Sequence, residues 1–189
     1  MGFPSKLKNL NLFLDGISHL GVVDEFTLPK IALKTDEWRG GGMLGPVMID
    51  NGLDKIEPEF TLGGISALAI ARFGATRHDA ALIRFAGAYQ DDSSGAVKAV
   101  EIVTRGRYTE LDWGGAKAGG ETAHKYKCAA SYYKQTVDGI DWLEIDLVGG
   151  TFIVFGQDRY ADIREAIGAS GNVGSVLDGV STITNLLGG

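Results

Sequence analysis

Residues 80–90 read Ala-Ala-Leu-Ile-Arg-Phe-Ala-Gly-Ala-Tyr-Gln. In an extended chain Ile83, Phe85 and Tyr89 fall on one side and Arg84 and Gln90 on the other. That is the period of two of a half-buried strand. The pattern recurs on either side of this stretch. Val97–Asp112 is a long run rich in β-branched residues (Val100, Ile102, Val103, Thr104), which suit a pleated surface. Thr122–Val137 is a third, and Asp138-Gly139 supplies a hairpin turn into Ile140–Val148. There Leu143, Ile145 and Leu147 face one way and Trp142, Glu144 and Asp146 the other. Upstream, Asn11–Leu14, an Asp15-Gly16 turn and Leu20–Leu28 predict another hairpin, ended by Pro29. The chain is therefore expected to be mainly β.

Two short helices are expected between these strands. Ser66 is placed to cap a helix running to Phe73, with Arg72 in its last turn and Gly74 just beyond. Asp158 is placed to cap a second, in which Tyr160, Ile163 and Ile167 share a face and Gly168 closes the turn. Glycine-rich stretches fall at Arg39–Gly45, Gly114–Gly120 and after Gly168. In the last of these Val173, Val176, Leu177, Val180, Ile183 and Leu187 recur at helical spacing.

A length of 189 residues favours one domain with a sizeable core. With 18 Lys+Arg against 24 Asp+Glu, the net charge of -6 argues against a surface built to grip nucleic-acid phosphate. The single Cys128 excludes an internal disulfide framework and a cysteine zinc cluster. It alternates with Tyr126, Ala130 and Tyr132, the pattern of a small buried residue. No apolar stretch has the length of a membrane span and the N-terminus has no signal-peptide core, so a soluble chain made in a reducing cytoplasm is expected.

Chemistry-bearing motifs are weak. Gly40-Gly41-Gly42-Met43-Leu44-Gly45 matches G-x-G-x-x-G, but Trp38-Arg39 precede it and Pro46 follows, with no βαβ unit around it. A flexible loop is the better reading. His19, His78 and His124 are scattered without metal-ligand spacing. Glu144 and Asp146 lie on one strand face, roughly 6.5–7 Å apart by strand rise. Paired carboxylates at such separations serve glycoside hydrolysis, although a solvated acidic strand face is the commoner cause. Lys125, Lys127 and Lys134 interleave with Tyr126, Tyr132 and Tyr133 but divide between both faces, which suits a mixed solvent face or protein interface. No cofactor, metal or catalytic constellation is expected, and the chain is not expected to be an enzyme.

Long strands leave adhesive edges unless these are covered, charged or joined to a neighbour. Closure by symmetry, with each subunit giving strands to a ring, is one solution. Specific residues point the same way. Pro4-Ser5-Lys6-Leu7, Asn11-Leu12-Phe13, Asp15-Gly16, Thr27-Leu28-Pro29, Arg39-Gly40-Gly41-Gly42-Met43 and Asp50-Asn51-Gly52-Leu53 resemble the major tail tube proteins of P2-like contractile phages. The resemblance continues through Thr61-Leu62-Gly63-Gly64, Arg84-Phe85-Ala86-Gly87-Ala88-Tyr89-Gln90, Arg105-Gly106-Arg107, Asp138-Gly139, Glu144-Ile145-Asp146, Arg164 and Ala166-Ile167-Gly168.

The resemblance implies a two-sheet β-sandwich or barrel-like subunit with one or two packed helices, giving strands to a ring-wide inner barrel. Six subunits would form a ring, and stacked rings a hollow tube inside a contractile sheath. The lumen would hold the tape-measure protein and pass genome DNA, with baseplate and tail terminator proteins at the ends. The product would reside in the virion after synthesis in the bacterial host cytoplasm, with no membrane insertion. A tail tube domain over residues 1–168 and a Gly-rich extension over 169–189 are expected. Within the domain, an arm of about residues 1–10 (Phe3, Pro4, Lys6) and a loop of about 39–52 (Arg39, Gly40, Gly41, Gly42, Met43, Leu44) are the expected contacts between rings. Arg39 would pair with Asp36 or Glu37 of an adjacent subunit. Glu144 and Asp146 are the expected acidic groups of the lumen, where free cations would hold phosphate. The alternatives are the inner tube of a phage-derived bacteriocin or injection particle, and, in a different class, a monomeric β-sandwich binding module or carboxylate-dependent hydrolase.

Overall fold

In the computed structural model the described residues are 3–169. In chain order they form β1 (Lys6–Leu14), β2 (Ile17–Ser18), β3 (Val23–Thr27), β4 (Leu33–Trp38), β5 (Val47–Leu53), β6 (Glu59–Leu62) and α1 (Ala67–Ala71). These are followed by β7 (Ala81–Gln90), β8 (Val97–Asp112), β9 (His124–Val137), β10 (Ile140–Asp146), β11 (Thr151–Val154), β12 (Gln157–Asp158) and α2 (Ala161–Ala166). The protein is mainly β. The expected extension lies outside the described residues except for Ala169.

The alternating strand at residues 81–90 is an interior strand of the sheet, between β8 and β1. Ala81, Ile83, Phe85 and Gly87 are buried while the residues between them are half-exposed. The antiparallel order is β12-β11-β10-β9-β8-β7-β1-β2. β9 divides its far edge between two partners: residues 124–127 pair with β6, and residues 132–137 with β10. β6 in turn pairs with β3. The sheet thereby folds back on itself, and Phe26 of β3 stacks on Phe85 of β7 at 5.1 Å between ring centroids. Leu12, Leu14, Phe60, Leu62, Ile83, Tyr126 and Ile145 fill the space between, each almost without solvent exposure.

A bulge explains how β9 serves two partners. Against β8 its register slips between the Arg105–Tyr132 and Gly106–Ala130 pairs, so Ser131 is the extra residue. Tyr126, Cys128 and Ala130 are buried before it, Tyr133 and Val137 after it. Tyr132, expected on the face of Cys128, is therefore turned to the opposite face. The close approach requires a glycine at 106, because a Cβ there would strike the Ala129 carbonyl.

Other expectations are corrected in detail. β1 starts at Lys6, so the second half of the expected N-terminal arm is strand, paired from Lys6–Gln90 onward. The Asp15-Gly16 hairpin returns only through β2. The chain then turns where Val22 and Val23 donate to the His19 carbonyl, and β3 leaves for β6. Ser66 caps α1, its Oγ accepting from Ala69 N at 3.4 Å. Asp158 does not cap α2. It accepts from Tyr160 N at 3.0 Å and turns the chain into a helix that begins at Ala161. β4, β5, β6, β11 and β12 were not expected.

Candidate assembly surfaces

Among the described residues β4 and β5 pair only with each other, in a hairpin apart from the main sheet. Trp38 faces Val47 and Asp36 faces Ile49 across the pair, while Asn51 reaches the Asp36 carboxylate at 2.6 Å. Cross-strand partners share a face, so Trp38, Val47 and Ile49 make one apolar surface edged by Asp36 and Asn51. It is uncovered: Trp38 is 59% exposed and Ile49 46%. Met48 lies on the other face opposite Glu37 and is 63% exposed.

Residues 39–46 are the turn of this hairpin. The expected loop of 39–52 is thus a tip followed by strand. Gly40 N donates to Met43 Sδ at 3.0 Å, Gly42 takes φ +83, and the Leu44 side chain stands fully in solvent. The G-x-G-x-x-G string lies between two strands with no helix after it, so it lacks the amide-lined helix end a pyrophosphate requires. Arg39 and Gly41 are exposed at the tip. Asp36 is held by Asn51 of its own hairpin.

The N-terminal residues lie at a second uncovered place. Phe3 is 68% exposed and Pro4 is exposed beside it. Lys6 is the first residue of β1, and Lys8 pairs with Asp92 at 2.7 Å. β1 meets β7 along one edge, but on the other meets β2 only at Phe13 and Leu14. Among the described residues no strand covers the outer edge of Lys6–Asn11, which leaves backbone donors and acceptors available for an added strand.

The third surface is the non-core face of the long strands. Register aligns Arg84, Val103, Lys134 and Glu144 in one row, and Ala86, Glu101, Thr136 and Asp141 in the next. Arg84 meets Glu101 at 2.6 Å and lies 4.6 Å over the Phe13 ring. Lys134 Nζ is 2.8 Å from Asp141 and 3.8 Å from Glu144. Tyr132 donates its hydroxyl to Glu144 at 2.9 Å, and Thr136 donates to Asp141 at 2.8 Å. The Lys134 bond holds the Asp141 carboxyl below its ordinary range, and the same bond raises the Lys134 ammonium. Burial, with Glu144 second, pushes the Tyr132 phenol up to about 12.

Glu144 and Asp146 both lie on this face, either side of the fully buried Ile145. Neither is idle. Glu144 is held by Tyr132 and Lys134, while Asp146 Oδ1 accepts from Val148 N at 3.0 Å and Gly149 N at 2.8 Å, forming the β10–β11 turn. These bonds tie Glu144 into the polar ladder and Asp146 into the turn. Trp142 is also exposed on β10, but after a bulge it tilts against Phe155 at 5.6 Å.

The remaining reactive side chains have local partners. His19 bridges the Ile17 carbonyl (3.0 Å) and Ser66 Oγ (3.2 Å), His78 meets Ser131 at 2.9 Å, and His124 donates to the Trp113 carbonyl at 3.1 Å. Cys128 is fully buried, and burial pushes its thiol up to about 12. Among the described residues no three His, Cys, Asp or Glu side chains are gathered to hold a metal ion. No helix there is long and apolar enough to cross a membrane.

The fold is similar to that of chains in two solved assemblies. A chain of the sheath/tube terminator of an extracellular contractile injection system, PVC, superposes with a TM-score of 0.53 at 10% identity. That match covers 71% of this chain and 97% of the other. A chain of the anti-feeding prophage tube-terminating cap gives 0.52 at 13% identity, over 72% of this chain and 93% of the other. Sequence carries the comparison further. The chain belongs to the phage tail tube protein FII family, whose sequence model matches residues 4–168. It is 42% identical to the tail tube protein of Escherichia phage P2 over 171 residues, 89% of this chain and 99% of that protein. It is 38% identical to the major tail tube protein of Serratia phage KSP20 over 174 residues, 90% of this chain and all of that one. It is a structural protein of contractile phage-like tails.

Proposed function

We propose that this chain is the repeating subunit of a hollow inner tail tube: six copies close a ring, rings stack, and the bore conducts genome DNA. The observation that carries this reading is the projecting β4–β5 hairpin. Its Trp38–Val47–Ile49 surface and its tip (Arg39, Gly40, Gly41, Gly42, Met43, Leu44) meet no other strand among the described residues and remain largely exposed. Seated on the next ring, this surface leaves water at about 25 cal/mol per Å² of apolar area. Phe3, Pro4 and Lys6 contribute to the same ring-to-ring contact. Within a ring, the open Lys6–Asn11 edge of β1 takes a neighbour's strand, and the long sheets join into one inner barrel.

The non-core face of β7–β10, with Glu144 and Asp146, is turned to the bore. On this face Arg84 is engaged by Glu101, and Lys134 by Asp141 and Glu144, while Arg105, in the row of Tyr132 and Asp146, is exposed. At Arg84 and Lys134 a passing phosphate therefore meets cations already paired, and each counterion-releasing contact avoided removes a salt-dependent hold. Sheath outside, tape-measure protein and DNA within, and baseplate and terminator proteins at the ends are the partners this role requires. The product is a virion component synthesised in the cytoplasm of a bacterial host. Phage relatives at 42% and 38% identity favour a phage tail over an injection particle, whose chains match at 10–13%.

Electron microscopy of the purified chain with and without residues 40–45 tests the proposal. Hollow tubes are expected from the intact chain, and short rings or free subunits from the deletion. Normal tubes from the deletion would remove the hairpin from the stacking role.

A further inference from the structure

Asparagine followed by glycine is the dipeptide most open to spontaneous deamidation, because no side chain shields the next backbone nitrogen from the asparagine carboxamide. The sequence holds Asn9, Asn11, Asn51, Asn172 and Asn185, and only Asn51 precedes a glycine.

The fold puts this pair at the least regular point of the β4–β5 hairpin. Between the Leu33–Leu53 and Thr35–Asp50 pairs, Lys34 stands opposite both Asn51 and Gly52. The extra residue on β5 makes a bulge, where the hydrogen-bond ladder is interrupted. Gly52 takes φ +97, and nothing lies within 4 Å of where a Cβ on it would stand. Asn51 is exposed to water and Gly52 half-buried.

Two carboxylates hold the pair. Asn51 Nδ2 donates to Asp36 across the hairpin at 2.6 Å, and Gly52 N donates to Asp50 Oδ1 at 2.7 Å. Both bonds oppose deamidation. For the ring to close, the carboxamide must leave Asp36 and turn back onto Gly52 N, and Gly52 N must lose its proton. A carboxylate hydrogen-bonded to that N–H stabilises it and disfavours the amide anion, since like charges repel.

We propose that Asn51-Gly52 is the deamidation site of this chain and that Asp36 and Asp50 set its rate. Gly52 N attacks Asn51 Cγ: the N–Cγ bond forms, the Cγ–Nδ2 bond breaks, and the carboxamide nitrogen leaves as ammonia with the Gly52 proton. Water then opens the cyclic imide at either carbonyl, giving aspartate or isoaspartate. Nothing is oxidised or reduced, and the chain gains one negative charge. The product sets a second carboxylate where Asn51 met Asp36, so a cross-strand tie becomes a repulsion. Isoaspartate also lengthens the backbone by one carbon next to the Thr35–Asp50 pair. Deamidation is thereby a slow release of the hairpin from its own pairing. The inference concerns a single subunit and stands apart from the ring proposal.

Ageing the full chain in mildly alkaline buffer, with peptide mass mapping and an ammonia assay, tests it. The mass change from amide to acid is expected in the peptide that holds Asn51 before any at Asn9 or Asn11. Asp36→Ala and Asp50→Ala should each deamidate about three- to tenfold faster, because each removes a hydrogen bond to a charged group. Modification first at another asparagine would overturn the site. Equal or lower rates in the variants would overturn the role of the carboxylates, as would a rise matched by faster hydrogen exchange in β7–β9. Asn51→Asp carries the charge of the product. Its β4 and β5 amides should exchange about threefold faster or more, with β7–β9 unchanged. Exchange equal to the wild type would overturn the release of the hairpin.

Discussion

The β4–β5 hairpin and the β7–β9 sheet are both antiparallel, yet they place their apolar residues in opposite environments. In the sheet, Ile83, Phe85, Ile102 and Tyr126 meet an opposing layer and lose nearly all contact with solvent. In the hairpin, Trp38, Val47 and Ile49 line up just as regularly but, among the described residues, no opposing layer covers them and about half of each stays exposed. One region is built to fold and the other to be covered later. Stability and assembly should therefore respond to different substitutions.

The largest effect on stability is expected at Phe60, which is fully buried and stacks on Tyr126 at 4.9 Å. Phe60→Ala should cost about 3–5 kcal/mol in denaturant unfolding. Gly106→Ala comes next, at about 1–3 kcal/mol, because the new methyl must push the bulged β9 backbone away. An unchanged midpoint for either would mean that the sheet is looser than its burial implies.

The pair of Arg164 in α2 with Asp158 at the end of β12 is read through pH. Asp158 is held down to about 2, from an ordinary 3.8, by its bond to Arg164 and then by the Tyr160 amide. A carboxylate lowered on folding stabilises above its unfolded value, and that contribution is lost as pH falls from about 4 through about 2. Thermal midpoints of the wild type should fall across that window more steeply than those of Asp158→Asn. Parallel curves would show that the pair contributes nothing.

The ladder on the polar face should matter less. Arg84 and Glu101 are both partly exposed, so a double-mutant cycle should give a coupling of only about 0.2–1 kcal/mol. Smallest of all for the isolated subunit is Trp38→Ser, within about 0.5 kcal/mol of wild type. The same substitution should nevertheless shorten or abolish tubes in sedimentation. A large loss of subunit stability there would erase the distinction between the two regions.

Much of the sheet was legible because local rules decide it. Period-two alternation placed β7, and Val97–Asp112 coincides with β8. Asp15-Gly16 and Asp138-Gly139 take positive φ at both residues, as the hairpin turn requires. Phe155-Gly156 takes the same conformation, but phenylalanine is not a turn residue, so the β11–β12 turn left no signal. β4 and β5 were hidden for a different reason. Their sequence, with Lys34, Asp36 and Glu37 against Val47, Met48 and Ile49, has a mixed pattern because the hairpin reaches the core only at its root, through Leu53. The exposed residues of the tip were legible as candidates, whereas the open edge of β1 depends on which strands pair and is written only in the fold. The side assigned to Tyr132 failed at the Ser131 bulge, which reverses the alternation of everything after it.

The central claim is that this subunit forms a tube with the polar face of β7–β10 toward the bore. A three-dimensional reconstruction of tubes grown from the purified chain tests it most directly. The account predicts stacked six-membered rings, the β4–β5 hairpin buried between rings, and the Arg84–Glu101 and Lys134–Glu144 pairs lining the channel. Tubes with those pairs on the outer surface, or a chain that remains a dispersed monomer at all concentrations, would contradict it.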